Sequence, residues 1–319
     1  MTPKIALEEH FMHPDFVGYW AKTAINISPD LFGNAREVLE DFGERRLAAM
    51  DSIGVEKQVI SLAGPGVQAE PTTSIAVKLA RRCNDYLASK IANRPDRYYG
   101  FAHLALQDPL EAANELERAV GELGFLGALI NGTTNGAYLD DDRYSVLWER
   151  AADLDVPIYI HPNNPADVPY MFHNHSELWG PVWSWTVETG SHALRIVFGG
   201  VFDRYPKAKL ILGHMGETLP FQLWRFDSRW RIANRGTRQL DLAPSEYFKR
   251  NFWCTTAGVC SNEPLQCTID ALGVERVLFS VDYPFERPDE AGLWIEAAPL
   301  SDEQRNKICY ENAKNLLGL

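Results

Sequence analysis

Pro157-Ile158-Tyr159-Ile160-His161 is a short apolar run that stops at an imidazole, and how it is read decides the fold. An unbroken run of branched and aromatic residues, with no polar alternation, reads as a strand buried on both faces, as in a parallel sheet. Three other stretches have the same form: Ile5-Ala6-Leu7-Glu8-Glu9-His10, Leu210-Ile211-Leu212-Gly213-His214 and Val277-Leu278-Phe279-Ser280-Val281-Asp282. Each ends in a side chain able to ligate a metal. In a closed barrel of parallel strands the C-terminal ends converge on one mouth, where the chemistry takes place.

Working outward from these runs, strand and helix patterns alternate along the whole chain. Strands are expected at 4–7, 57–62, 98–104, 126–131, 157–161, 209–214, 251–255 and 276–282. The helices between and after them are expected at 35–53, 74–93, 109–123, 142–154, near 192–205, and at 219–234, 263–272 and 302–317. Eight such units make an α/β chain of the (β/α)8 TIM barrel class. Gly54, Gly124 and Gly273 fall just past helix ends, where a left-handed residue is favoured. With no linker or repeat in the series, residues 1–319 are expected to form one domain. Its one long insertion, at about 162–191, carries Tyr170, Phe172, Trp179, Trp183 and Trp185. Aromatics at that density suggest a lid or a subunit boundary, and a flat aromatic substrate would suit such a wall.

Composition narrows the function. There are 31 basic and 43 acidic residues, a formal net charge of −12, and no long block of one sign. Nucleic acid and anionic membranes reward clustered Lys and Arg, so neither is an expected partner. No apolar run approaches the ~18 residues of a membrane span, and no signal-peptide core follows the N-terminal Met. The five cysteines are odd in number and scattered, as expected of reduced thiols in a cytoplasmic protein.

The strand ends assemble into a constellation. Glu8 and His10 stand two apart, so on a strand they share a face. With His161 and Asp282 they give two imidazoles and two carboxylates, a set that suits one divalent ion with open positions, Mn²⁺ or Zn²⁺. Asn131 ends the fourth strand where a second metal would need a bridging lysine, so one ion is expected. His214 lies between glycines in Gly213-His214-Met215-Gly216-Glu217, and Glu217 is placed to bond its imidazole and raise its basicity. Arg225 is a candidate clamp for an anionic group. His173 and His175, on the long insertion, read as ordinary loop residues.

With these residues in view, the chain resembles the amidohydrolase superfamily, within its branch of metal-dependent hydroxybenzoate decarboxylases. The resemblance covers essentially the whole chain. It is carried by Ala6-Leu7-Glu8-Glu9-His10-Phe11, Ile160-His161-Pro162, Gly213-His214-Met215-Gly216-Glu217 and Ser280-Val281-Asp282-Tyr283-Pro284. Glu8 is the discriminating residue, because ordinary members of the superfamily carry a histidine there. The resemblance implies Glu8, His10, His161 and Asp282 as metal ligands, and His214 and Glu217 as catalytic partners. It places Arg225 and Asn131 near the substrate. It further implies a reversible, non-oxidative carboxy-lyase acting on an ortho-hydroxybenzoate, with no organic cofactor, in a homodimer or homotetramer. Asp282 is the expected proton donor to the ring carbon. The alternative for the same residues is a metal-dependent hydrolase of an amide or lactone.

Overall fold

In the computed structural model, which describes residues 1–23, 29–232 and 239–319 (22, 23 and 29–32 as backbone only), strand and helix alternate as the sequence predicts. The strands are β1 (Lys4–Phe11), β2 (Val55–Leu62), β3 (Tyr98–Gly100), β4 (Ala128–Asn131), β5 (Pro157–His161), β6 (Lys209–Leu212), β7 (Phe252–Thr255) and β8 (Val277–Leu278). The helices that follow them in turn are α1 (Glu44–Ser52), α2 (Thr73–Ile91), α3 (Pro109–Gly121), α4 (Ser145–Asp153), α5 (Ser184–Phe198), α6 (Leu223–Ile232), α7 (Asn262–Leu272) and α8 (Pro288–Ala297).

All strand pairs are parallel, in the orders β1-β2-β3 and β4-β5-β6-β7-β8. Parallel bridges Ala102↔Ala128 and Glu9↔Tyr283 join the two sets. At those seams the Leu129 N–H donates to the Ala102 carbonyl (3.0 Å), and the His10 N–H to the Tyr283 carbonyl (2.7 Å). The result is the closed (β/α)8 barrel.

The apolar runs are buried on both faces because the barrel has two cores. Inside it, Ile5, Leu7, Val59, Phe101, Leu129, Tyr159, Ile211 and Leu278 pack together. Ala313, Leu316 and Leu317 of the C-terminal helix pack against this layer. Outside it, Ile60, Ile130, Ile158, Ile160, Leu210 and Leu212 meet helix residues such as Leu116 and Ile196. Each fully buried side chain of this size contributes about 1.5–3 kcal/mol.

Several boundaries differ from expectation. The helix expected at 35–53 is two, Pro29–Glu40 and Glu44–Ser52. It breaks where the Asp41 carboxylate accepts the Gly43 and Arg46 N–H groups at 3.0 and 2.8 Å. α5 begins at Ser184, earlier than expected, because β-branched residues and Gly190 weaken its helical pattern. The expected end of the 219–234 helix lies partly outside the described residues. β8 stops at Leu278, since the Ser280 and Val281 N–H groups bond to the side chains of Thr256 (3.0 Å) and Glu9 (2.9 Å) rather than to a strand.

Candidate active site

β1 delivers two ligands because it is irregular. Ala6 pairs with Gln58, but Glu9 pairs with Ile60, so β1 holds one residue more than its partner. This is a β-bulge at Leu7 and Glu8. Both of their N–H groups donate to Ser280 Oγ, at 3.0 and 3.1 Å, which stands in for a ladder carbonyl. The bulge resets the alternation. Leu7 fills the barrel interior, Glu8 and His10 reach the mouth, and Glu9 turns outward.

At the mouth, Glu8, His10, His161 and Asp282 each offer a ligand atom, and the four atoms all lie within 4.8 Å of one another. His10 Nε2 is 3.2 Å from Asp282 Oδ1, and His161 Nε2 is 3.7 Å from Glu8 Oε1. Glu8 Oε1, His10 Nε2 and Asp282 Oδ1 are buried without a hydrogen-bond partner. Orphaned donors and acceptors at that depth cost free energy unless something satisfies them. Burial raises the Glu8 carboxyl above its usual range, even against His214 and His10. Burial also holds the His161 imidazole well below its usual range, so one ring nitrogen keeps a free lone pair. Two desolvated carboxylates and a neutral imidazole facing one point fit a divalent cation. Ser61 Oγ lies 3.2 Å from His10 Nδ1 and leaves Nε2 turned toward the cluster.

Asp282 is itself left-handed at φ 77°, and its N–H donates to the Glu8 carbonyl at 3.0 Å. Burial would raise its carboxyl, but the neighbouring His10 and His214 outweigh that and hold it well below the ordinary carboxylate range.

The His214 segment is strained. His214, Met215, Gly216, Glu217 and Thr218 all have positive φ, at 49, 55, 78, 53 and 63°. A left-handed turn of non-glycine residues costs roughly 1–2 kcal/mol for each of them. What it achieves is a contact: Glu217 Oε1 meets His214 Nδ1 at 2.8 Å. His214 Nε2 then faces Asp282 Oδ2 at 3.7 Å and Glu8 Oε1 at 3.8 Å. Burial alone would lower this imidazole, but Glu217, Glu8 and Asp282 together lift it well above its usual range. Gly213 is needed for closeness, because a Cβ there would stand 2.6 Å from Glu8 Oε2.

Asn131 pairs in register with His161 and so shares its inward face, buried, with neither amide atom bonded. Trp185 and Phe285 flank the mouth, 6.4 Å from His161 and 5.7 Å from His10 between ring centroids. Arg225 stands apart. It is exposed on α6, with no hydrogen bond or ion pair to a described residue. His175 is also exposed, 2.7 Å from Glu177.

Sequence reading missed four supporting residues: Ser280, Ser61, Thr255 and Tyr159. Tyr159 left a signal, since it stands two residues before His161 on the same strand and so shares its face. Behind the mouth, Glu9 accepts from Val281 N–H at 2.9 Å and from Gln58 Nε2 at 3.2 Å. Burial pushes the Glu9 carboxyl up to about 8.

Residues 10–319 match the amidohydrolase family. The gamma-resorcylate decarboxylase of Polaromonas sp. (strain JS666) is 41% identical over 332 residues, covering 100% of this chain and 99% of that protein. The crystal structure of a 2,6-dihydroxybenzoate decarboxylase complexed with 2,6-dihydroxybenzoate superposes with a TM-score of 0.94, at 40% identity and with both chains fully covered. A dihydroxybenzoic acid decarboxylase from Polaromonas sp. JS666, solved with bound manganese and the inhibitor 2-nitroresorcinol, gives 0.93 at 42% identity, over 100% of this chain and 98% of that one.

Proposed function

The chain belongs to the amidohydrolase family, and we propose that it is a metal-dependent, non-oxidative carboxy-lyase that removes CO2 from an ortho-hydroxybenzoate of the 2,6-dihydroxybenzoate type. One observation carries the reading: Glu8, His10, His161 and Asp282 face a single point, and Glu8 Oε1, His10 Nε2 and Asp282 Oδ1 are unpartnered there. The manganese in the similar Polaromonas structure supports Mn²⁺, and the one four-residue cluster found among the described residues supports one ion per subunit.

When bound, the ion would supply charge neutralisation and orientation for the adjacent carboxylate and hydroxyl of the substrate. Asp282, held ionised by His10 and His214, takes the phenolic proton as the substrate docks. It then gives that proton to the ring carbon bearing the carboxylate. The electrons of the breaking carbon–carbon bond return to the ring as CO2 leaves, and the resulting phenolate regains one proton from solvent. His214, oriented by Glu217, faces Asp282 and is positioned to relay that proton or steady the leaving group. Asn131, with its free amide, is a candidate substrate contact.

Tyr170, Met171, Trp183, Phe221 and Trp224 are exposed apolar residues on the 162–191 segment and near α6. Their exposure supports a homodimer or homotetramer whose contacts cover them.

The test is to load the protein separately with Mn²⁺ and Zn²⁺ and offer 2,6-dihydroxybenzoate, 2,3-dihydroxybenzoate and salicylate. Ultraviolet absorbance then follows each acid turning into its phenol. Metal-dependent loss of one acid is expected. A fully loaded protein that leaves all three intact overturns the reading in favour of an amide or lactone hydrolase. Asp282→Asn keeps an oxygen for the ion but cannot carry the proton. It is expected to retain most of its metal and lose ~10²–10⁴-fold in turnover. Turnover near wild type with metal retained removes Asp282 as proton donor.

A further inference from the structure

We propose that Tyr159 and Thr255 are positioning residues that grip one oxygen of Glu8 so that only the other is presented to the cation; this rests on the metal reading above. The Tyr159 hydroxyl donates to Glu8 Oε2, and Thr255 Oγ1 lies 3.1 Å from the same atom. The two hydroxyls lie 2.9 Å from each other. Each has a single proton, and Thr255 can give its own either to Oε2 or to the Tyr159 oxygen; in both arrangements Oε2 is the carboxylate oxygen that the pair holds. Oε1 receives no hydrogen bond and lies 3.7 Å from His161 Nε2. One oxygen is saturated and its twin is bare.

The surroundings make this division stable. Tyr159 and Thr255 are fully buried, and Tyr159 belongs to the apolar interior layer with Leu7, Phe101 and Ile211. Gly213 closes the remaining side, because its missing Cβ is what lets Oε2 lie there. The strand ends supply the grip directly. Tyr159 comes two residues before His161 on β5, and Thr255 ends β7. Glu8 is thereby fixed by two elements other than its own bulged strand. Partners of this kind typically contribute 10- to 100-fold in metal affinity or activity.

The experiment measures Mn²⁺ affinity by electron paramagnetic resonance of the free ion, on wild type and on Tyr159→Phe, Thr255→Val and Thr255→Ser. The dissociation constant is expected to rise ~10-fold or more for Tyr159→Phe and for Thr255→Val, and to stay near wild type for Thr255→Ser. In a Glu8→Ala background, adding Tyr159→Phe should cost nothing further. The melting temperature of each metal-free variant is recorded alongside. If Tyr159→Phe melts early, the Thr255→Val and Thr255→Ser pair decides. Affinities within twofold of wild type, or a Tyr159→Phe loss that persists without Glu8, overturn the proposal. A wild type that binds no Mn²⁺ overturns the metal reading instead, and is recognised before any variant is compared.

Discussion

Glu217→Gln separates the charge of Glu217 from its hydrogen bond. Glu217 Oε1 meets His214 Nδ1 at 2.8 Å, with the Glu217 side chain 1% exposed and that of His214 22%. A glutamine carbonyl can still accept from Nδ1–H, so ring orientation survives and only the negative charge is lost. Hydrogen bonds to charged groups contribute ~1.5–3 kcal/mol against ~0.5–1.5 for neutral ones. The glutamine keeps the neutral bond, so only the difference, ~1–1.5 kcal/mol, is lost, and if all of it acts in the transition state kcat/KM slows by about 5- to 13-fold. Glu217→Ala goes further by leaving the Nδ1–H without an acceptor. That adds the cost of an unsatisfied buried donor, ~1 kcal/mol at the low end because His214 is partly exposed, or about another fivefold. The expected order of activity is wild type, then Gln, then Ala, measured by ultraviolet decarboxylation assay on Mn²⁺-loaded protein. Neither variant should lose bound metal, since Glu217 lies outside the four-ligand set. A Gln variant within threefold of wild type, or an Ala variant no slower than Gln, would refute this role for the Glu217 charge.

Thr218 is β-branched, exposed and left-handed at φ 63°, so Thr218→Gly should raise stability by ~1 kcal/mol; an unchanged or lower urea midpoint would contradict the strain assigned to this turn. Gly213→Ala drives a Cβ to 2.6 Å from Glu8 Oε2, and Mn²⁺ affinity should fall at least ~10-fold by calorimetry; wild-type affinity would mean that Glu8 moves freely. His103 and His192 are buried, and burial lowers both imidazoles from 6.5 to about 3. Between those values the unfolded chain binds the proton and the folded one does not, so stability falls as pH drops below 6.5. At pH 5 each histidine should have removed ~2 kcal/mol relative to pH 7.5. In urea titrations His192→Gln, whose carbonyl can still accept the Leu139 N–H, should lose correspondingly less over that range than wild type; equal losses would refute its share.

The barrel was legible because a strand buried on both faces must be apolar on both, and five residues such as Pro157–His161 suffice to show it. The mouth was legible because ligating side chains follow those runs directly. What stayed hidden has three physical causes. Helix α5 was masked by β-branched residues whose burial in tertiary contacts overrides weak propensity. The supporting hydroxyls of Ser280, Ser61 and Thr255 look like any strand serine or threonine, because their meaning lies in which backbone or carboxylate they meet across the barrel. The bulge at Leu7 and Glu8 is hidden most deeply. In a regular strand Leu7 and Glu8 face opposite sides, and a barrel with Leu7 inside would turn Glu8 into the helix layer. Glu-x-His spacing correctly puts Glu8 and His10 together but says nothing of which face they share. That choice is made by Ser280, whose hydroxyl accepts the N–H groups of both bulge residues from the far side of the β8–β1 seam. The metal set therefore depends on a residue that ligates nothing, two positions before Asp282, the ligand from its own strand end.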